Sequence, residues 1–320
     1  MREDKTPRRP NEFSDTATWA AWLYYVDELT QKKVADRLKI SRVTVIKLLA
    51  EARERGIVKV TINTEVAASV KISKQLTKKY GLEEALVIPS LSGKDLLQRL
   101  GNAASMILMD KLQDGETLAV AWGRTVSAVA ESVPNHNNFK NITVAQLVAS
   151  PDGLASDFSP ELCSSLLANQ LSAKCVNILA PVVVSSPEIR ASLMKEPSIA
   201  AQFNIIRGAS VALFGTGELG PGSTLETHNL YAKDIIEDVK SKGAAAVIMG
   251  LFIDANGDEV RSKIHDQMIC ASLNDLKAMQ KRICVAGGLH KVKAIRAALR
   301  AKLITHLVTD EDTALQLLKS

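Results

Sequence analysis

Residues 82–320 alternate short β-rich runs with helical stretches, and this rhythm constrains the fold more than any other feature of the sequence. Strands that alternate with helices form mainly parallel sheets, because each helix carries the chain back to the level at which the next strand begins. We therefore expect a doubly wound α/β domain. The β-rich runs, in chain order, are ALVIP, TLAVAW, ITVAQLV, CVNILAP, SVALF, AAAVIMGLFI, RICVAG and ITHLVT.

The N-terminal part has a different pattern, with three helical segments in close succession within residues 16–63. The second segment follows Thr30 and the third follows Ser41, and both residues are good helix N-caps. Only Lys39 and Ile40 separate these two helices, so the helices must cross steeply, and the small Ala35 lies where they meet. This pattern predicts a helix-turn-helix unit. Its buried residues are expected to be Trp19, Trp22, Leu23, Val26, Val34, Ala35, Leu38, Val45, Leu48 and Leu49.

The boundaries of this unit can also be predicted. Gly56 ends the third helix, and residues 57–62 alternate like a strand, as in a winged helix-turn-helix domain. We expect residues 1–15 to form a flexible tail and residues 64–81 to form a linker helix. Lys39 occupies the turn position at which glycine is common, so we expect left-handed backbone angles there and a modest strain.

The outward face of the third helix suits contact with DNA. Its first half offers hydroxyl, methyl and cationic groups, which can bond base edges and touch a thymine methyl group. Other lysines nearby can meet phosphates. The alternative is a helical hairpin packed on the rest of the protein, with its charges merely solvated. The predicted DNA contacts are Ser41, Arg42, Val43, Thr44 and Lys47 for bases, and Lys32, Lys33 and Lys59 for phosphates.

Charge and composition narrow the classes of function. The net charge is +5, and residues 1–62 carry +4 of it (13 Lys and Arg against 9 Asp and Glu), which favours a nucleic-acid-binding arm on a nearly neutral body. Four cysteines without C-x-x-C spacing and five histidines without H-E-x-x-H predict no metal site. The sequence shows no signal peptide and no apolar run of membrane length, so we expect a cytoplasmic protein without a membrane partner.

Glycine-rich turns follow several of the predicted strands. Ligands of open parallel sheets bind beyond the carboxyl ends of the strands, and glycine lets backbone N–H groups approach an anion at a helix N-terminus. Each turn alone is common loop chemistry, but their recurrence on one edge predicts a shared pocket for a phosphorylated small molecule. The residues concerned are Gly123, Arg124, Thr125, Gly215, Thr216, Gly217, Gly287, Gly288, Lys291, Thr309 and Asp310.

The turn GTGELG at residues 215–220 also has the G-x-G-x-x-G spacing of a dinucleotide-binding loop. That fingerprint requires the loop to run straight into a helix and an acid about 20 residues later at the end of the next strand. Here Pro221 and Gly222 interrupt any such helix, while Asp234 and Glu237 lie in an amphipathic helical stretch. We therefore expect no nicotinamide or flavin, and no other cofactor.

The segment around Asp254 resembles the start of a calcium-binding loop. It lacks the glycine and the final glutamate that such a loop needs, because Glu259 and His265 stand at those positions. Asn256 and Gly257 are more typical of a hairpin turn. Asp254 is then either an acceptor for a ligand hydroxyl group at the sheet edge or an acid that caps the turn.

Together these features resemble the SorC-type bacterial transcriptional regulators, over residues 19–318. The motifs that carry the resemblance are DELTQKKVADRLKISRVTVIKLLAEARERGIVKV, AWGRT, GTGELG, GLFIDANGDEV, VAGGLHKVKAI and LVTDEDTA.

The resemblance implies an effector domain similar to sugar-phosphate isomerases and deaminases that no longer catalyses, assembled as a tetramer. It places Gly123, Arg124 and Thr125 in a first phosphate-side loop and Gly215 and Thr216 in a second. It implies that Asp254 accepts a hydrogen bond from a sugar hydroxyl group and that Lys291 contacts the phosphorylated end of the ligand.

We therefore expect a transcriptional regulator, not an enzyme, that binds double-stranded operator DNA and responds to a sugar, polyol or sugar phosphate. The rival hypothesis is an active sugar-phosphate isomerase or deaminase with an accessory DNA-binding module. That hypothesis requires a paired acid and base at the pocket, for which Asp254, Asp310 and His265 are the candidates. A structural nucleoid protein is a third class, and it predicts no response to a ligand.

Overall fold

A computed structural model of the chain describes residues 10, 13–58, 64–90, 95–135, 139–151, 158–220, 223 and 231–319. The chain forms two compact units, Met1–Asn63 and Thr64–Ser320. The boundary falls where the helix-turn-helix pattern of the sequence ends.

The described residues of the first unit form three helices, α1 (Thr16–Tyr25), α2 (Gln31–Leu38) and α3 (Arg42–Glu54). Side chains of Asp15, Thr30 and Ser41 cap them by accepting a backbone N–H of the first turn. The predicted core forms with three exceptions, because Trp22 and Val26 are exposed and Leu48 is half-buried. Its buried members are Ala17, Trp19, Ala20, Ala21, Leu23, Val34, Ala35, Leu38, Val45, Leu49 and Ala52.

The turn between α2 and α3 has the predicted geometry. Lys39 lies in the left-handed region, with φ of 55° and ψ of 40°, and the carbonyl of Ala35 accepts the N–H groups of both Lys39 and Ile40. Gly56 has φ of 72° just beyond α3, where the sequence predicts the helix to end. The predicted wing at residues 57–62 lies mostly outside the described residues, which stop at Val58 and resume at Thr64.

The second unit is built on a seven-stranded sheet in which every described pairing is parallel. The strand order is β1-β10-β9-β5-β2-β3-β4, with helices on both faces. The sequence prediction of a doubly wound sheet is confirmed. Its strands are β1 (Glu84–Ile88), β2 (Thr117–Val120), β3 (Thr143–Gln146), β4 (Lys174–Val176), β5 (Val211–Phe214), β9 (Lys281–Val285) and β10 (His306–Asp310).

The described helices of this unit precede the first strand, follow the last one, or lie in the connections between strands. They are α4 (Thr64–Tyr80), α5 (Leu96–Lys111), α6 (Arg124–Ser132), α7 (Pro160–Gln170), α8 (Pro187–Leu193), α9 (Pro197–Arg207), α10 (Lys233–Ser241), α11 (Leu273–Ala278), α12 (Val292–Arg300) and α13 (Glu311–Leu318).

Helix α4, which the sequence suggests as a linker, packs into the second unit. Ile72 and Leu76 are buried in its core, and the side chains of Lys79 and Tyr80 donate hydrogen bonds to the carbonyl of Leu317. Burial of this apolar stripe fastens the helix to the domain over its C-terminal half.

A second, three-stranded antiparallel sheet accounts for the run AAAVIMGLFI, which the sequence presents as one strand. The run turns at Met249 and Gly250, both with positive φ, and divides into β6 (Ala244–Ile248) and β7 (Leu251–Asp254). β7 then pairs with β8 (Glu259–Val260), so the predicted Asn256–Gly257 hairpin is confirmed.

The order of the large sheet decides where a ligand can bind. β10, β9, β5 and β2 are consecutive neighbours and run parallel, so the segments that follow them emerge side by side at one edge. All four residues of β5 are buried, and their close packing holds this edge of the sheet rigid.

Candidate functional site

A cavity of about 380 Å³ lies at the carboxyl ends of β2, β5 and β9. This volume is in the range of sites for small molecules. The structure brings together eight of the predicted strand-end residues there, namely Gly123, Arg124, Thr125, Gly215, Thr216, Gly217, Gly287 and Lys291, whereas Gly288, Thr309 and Asp310 do not line the cavity.

The first wall of the cavity is the start of α6. Gly123 is the N-cap residue, with φ of 113°, and it offers no side chain to cap the helix. A residue with a Cβ atom adopts that φ only under strain. Gly123 donates its own N–H to the carbonyl of Phe158, at 3.2 Å. The following N–H groups of the first turn and the Arg124 side chain therefore provide donors and positive charge for an anionic group.

Lys291 supplies the second cationic group. It ends a short 3₁₀ helix (Leu289–Lys291) that begins after Gly288, and only 17% of its side chain is exposed. Its Nζ donates a hydrogen bond of 3.0 Å to the carbonyl oxygen of Thr216. Burial lowers the pKa of Lys291 and the charge of Arg124 adds to this, while the carboxylate of Glu218 opposes it. Arg124 and Lys291 both line the cavity, so the two cations face the same region.

The loop that follows β5 forms the third wall. Gly217 exchanges two backbone hydrogen bonds with Val247, at 2.8 and 2.9 Å, instead of starting a helix. This pairing removes the geometry that a dinucleotide-binding loop needs. The hydroxyl oxygen of Thr216 is buried and has no hydrogen-bond partner among the described residues, so it remains available to a ligand.

Several residues of the cavity are missed by the sequence prediction. Trp122 and Glu218 directly extend motifs that follow β2 and β5, so the rule of strand ends could have found them. Asp95 caps the start of α5 and Leu100 lies within that helix, and nothing in the local sequence marks them as facing a cavity. The full lining is Asp95, Leu96, Leu97, Leu100, Ala121, Trp122, Gly123, Arg124, Thr125, Gly215, Thr216, Gly217, Glu218, Val247, Met249, Gly250, Gly287, His290 and Lys291.

Asp254 does not line this cavity. Its Oδ1 accepts the backbone N–H groups of Asn256, Gly257 and Asp258, at 2.8 to 2.9 Å. Although burial raises the pKa of Asp254, these donors outweigh it and the pKa lies below its usual value. The structure thus gives Asp254 the second of its two predicted roles, a cap of the hairpin turn, and we leave it out of the proposed effector contacts.

The other two candidates for an acid–base pair are also held in structural bonds. Oδ2 of Asp310 accepts from the Gly288 N–H and from the Thr313 hydroxyl, each at 2.6 Å, and its Oδ1 caps α13 by accepting the Thr313 N–H at 3.0 Å. His265 is buried and closes a capping box with Ser262. Neither lines the cavity, and within the described ranges no cluster of His, Cys, Asp or Glu could hold a metal ion.

The predicted DNA-reading residues are exposed at the start of α3. The Oγ of Ser41 accepts the Thr44 N–H at 3.0 Å, and Nε of Arg42 donates to Oε1 of Gln31 at 3.2 Å. Ile46, which the sequence prediction leaves out, is 44% exposed on the same helix. The exposed predicted contacts are Lys32, Lys33, Ser41, Arg42, Val43, Thr44 and Lys47, while Lys59 lies outside the described residues.

Over the described part of the chain, no helix combines the length and the apolar character needed to cross a bilayer.

Comparison with known proteins adds independent information. Residues 64–319 match the family model described as "Putative sugar-binding domain". The chain is 34% identical over 305 residues to the transcriptional regulator LsrR of Escherichia coli (strain K12), covering 94% of this chain and 93% of that protein. It is 31% identical over 307 residues to the uncharacterized transcriptional regulator YjhU of the same strain, with 94% and 93% covered. The crystal structure of the full-length sorbitol operon regulator SorC from Klebsiella pneumoniae aligns with a TM-score of 0.76 and 27% identity, covering 96% of this chain and 100% of that one.

Proposed function

The chain belongs to the SorC-type family of sugar-binding transcriptional regulators, and from that premise we propose that α3 reads operator DNA while the cavity binds the controlling effector. The relatives are regulators, so the function of this chain is sugar-responsive control of an operon rather than catalysis.

The observation that carries the effector proposal is the convergence of three glycine-rich segments and two cations on one cavity. The first turn of α6 and Arg124 suit a phosphate-type group, with Lys291 opposite, and the hydroxyl of Thr216 suits a sugar or polyol hydroxyl group. We therefore propose a sugar or polyol effector that carries an anionic group.

A thermal-unfolding screen tests this effector class. A ligand that binds only the folded protein at 100 times its Kd adds about 2.7 kcal/mol to the free energy of unfolding. The expected result is a raised Tm with at least one sugar phosphate and a smaller rise with the unphosphorylated sugar. An unchanged Tm across sugars, polyols and their phosphates would contradict the effector class.

The DNA proposal rests on the exposure of Arg42, Thr44 and Lys47 next to a hydroxyl-capped helix start. Arg42→Ala or Lys47→Ala is expected to reduce preference among operator sequences, because base contacts carry sequence information. Lys33→Ala, a phosphate contact, is expected to weaken all DNA similarly. Competition binding with operator and scrambled duplexes measures both effects. If both base-contact variants keep full operator preference, α3 is not the reading helix.

Regulation requires that the effector bind two states of the protein with different affinities. A coupling free energy of about 1–3 kcal/mol changes operator affinity roughly 5- to 150-fold. We further propose a homotetramer in the cytoplasm, in which paired α3 helices meet half-sites separated by one helical turn of DNA or by multiples of it. Sedimentation of the purified protein tests the tetramer.

A further inference from the structure

The proposed effector contacts leave the carboxylate of Glu218 without a role. Glu218 lies in the loop after β5, lines the cavity, and only 20% of its side chain is exposed. Its Oε1 is 3.7 Å from Nζ of Lys291, and its Oε2 is 3.7 Å from Nε2 of His290. The Lys291 distance suits an ion pair, and both distances exceed that of a hydrogen bond. Oε2 is buried and accepts no hydrogen bond from a described residue.

The backbone holds this carboxylate in place. Gly217, its neighbour, is paired with Val247 through two hydrogen bonds, and a Cβ atom on Gly217 would lie 3.1 Å from Cβ of Val247. The loop therefore cannot carry Glu218 far from Lys291 without breaking its contact with β6. A side-chain rotation is the cheaper way for the carboxylate to leave.

An anionic ligand at Lys291 must share that cation with Glu218. Two anions that compete for one ammonium group repel each other, and the repulsion is strongest where water is excluded. One N–H of the Lys291 ammonium group donates to the carbonyl of Thr216. The other N–H groups are therefore left for Glu218 or the ligand. Glu218 is thus placed to weaken binding of any anion beside Lys291.

We propose that Glu218 determines the charge of the effector, as an internal competitor for the anionic group at Lys291. The cavity then accepts a ligand with one phosphate-type group, and the carboxylate of Glu218 is an acceptor for the hydroxyl groups of its body. A second phosphate-type group on the Glu218 side is rejected. This inference rests on the proposed function, in which the effector is an anionic sugar or polyol.

Titration calorimetry of the full chain with fructose, fructose 6-phosphate, fructose 1,6-bisphosphate and inorganic phosphate tests the proposal. In Glu218→Gln, which keeps the shape and removes the charge, phosphate and the bisphosphate are expected to bind roughly 5- to 50-fold tighter than to the wild type. Glu218→Asp keeps the charge on a shorter side chain, so any tightening of phosphate binding is expected to be smaller than in Glu218→Gln. Glu237→Gln on the exposed face of α10 makes the same charge change away from the cavity and controls for the net charge.

The sign of the change separates this role from a simpler one. If Glu218 serves only as a hydroxyl acceptor, Glu218→Gln leaves phosphate binding unchanged and weakens fructose 6-phosphate, and the proposal is overturned while the effector class stands. If neither the wild type nor Glu218→Gln binds any of the phosphates, the anionic effector of the proposed function fails, and this inference fails with it. Thermal unfolding of each variant verifies that it folds.

Discussion

Replacing Lys291 with methionine removes the second cation of the cavity while keeping most of the aliphatic stem. The ammonium group of Lys291 is largely buried, bonds the Thr216 carbonyl at 3.0 Å and faces Glu218 at 3.7 Å. A hydrogen bond that involves a charged group contributes about 1.5–3 kcal/mol. Because 1.36 kcal/mol is a factor of ten, we expect an anionic effector to bind about 10- to 150-fold more weakly.

Titration calorimetry with the sugar phosphate that most raises the Tm measures this loss. Lys293→Met provides the matched control, because Lys293 is exposed on α12 and does not line the cavity, so the same change of charge should leave the Kd within about twofold. Operator affinity without effector should be unchanged in both variants. Equal Kd values for Lys291→Met and wild type would refute the assignment of Lys291 to the effector.

The backbone provides three further predictions. Lys39→Gly is expected to raise the free energy of unfolding of the first unit by about 1 kcal/mol, because glycine tolerates the φ of 55°. Chemical denaturation measures this free energy, and a value below that of the wild type would contradict the strain at Lys39. Gly287→Ala should cost about 1–3 kcal/mol and lower the Tm, because its Cβ atom would lie 2.5 Å from Oδ2 of Asp310; an unchanged Tm would show that the loop yields freely. In Gly123→Ala the new Cβ atom has no neighbour within 4 Å, but alanine must adopt a φ of 113°. We therefore expect weaker effector binding and a loss of about 1–2 kcal/mol in the free energy of unfolding. A wild-type effector Kd together with a wild-type free energy of unfolding would show that α6 starts without strain.

Much of the architecture can be predicted from local chemistry. Hydroxyl N-caps at Thr30 and Ser41 set the starts of α2 and α3, and the short turn between them leaves Lys39 no alternative to a left-handed conformation. The strand-end rule finds eight cavity residues because neighbouring parallel strands end at one edge.

The remaining features depend on contacts between distant segments. AAAVIMGLFI is apolar throughout, so its period does not distinguish one buried strand from a hairpin that turns at Met249 and Gly250. The carbonyl of Gly250 accepts a hydrogen bond from the Tyr231 hydroxyl, a contact that no local pattern indicates. Asp254 is a similar case, because its local sequence is compatible both with an acid that caps the turn and with a free acceptor. The three backbone N–H groups that donate to its Oδ1 distinguish these two roles.

We propose that occupancy of the cavity in the second unit changes DNA binding by the first. Fluorescence anisotropy of a labelled operator, titrated with wild-type protein and with Lys291→Met in the presence and absence of saturating sugar phosphate, tests it most directly. We expect a roughly 5- to 150-fold change of operator Kd in the wild type and little change in the variant at the same ligand concentration. An operator Kd that is identical with and without bound effector in the wild type would contradict it.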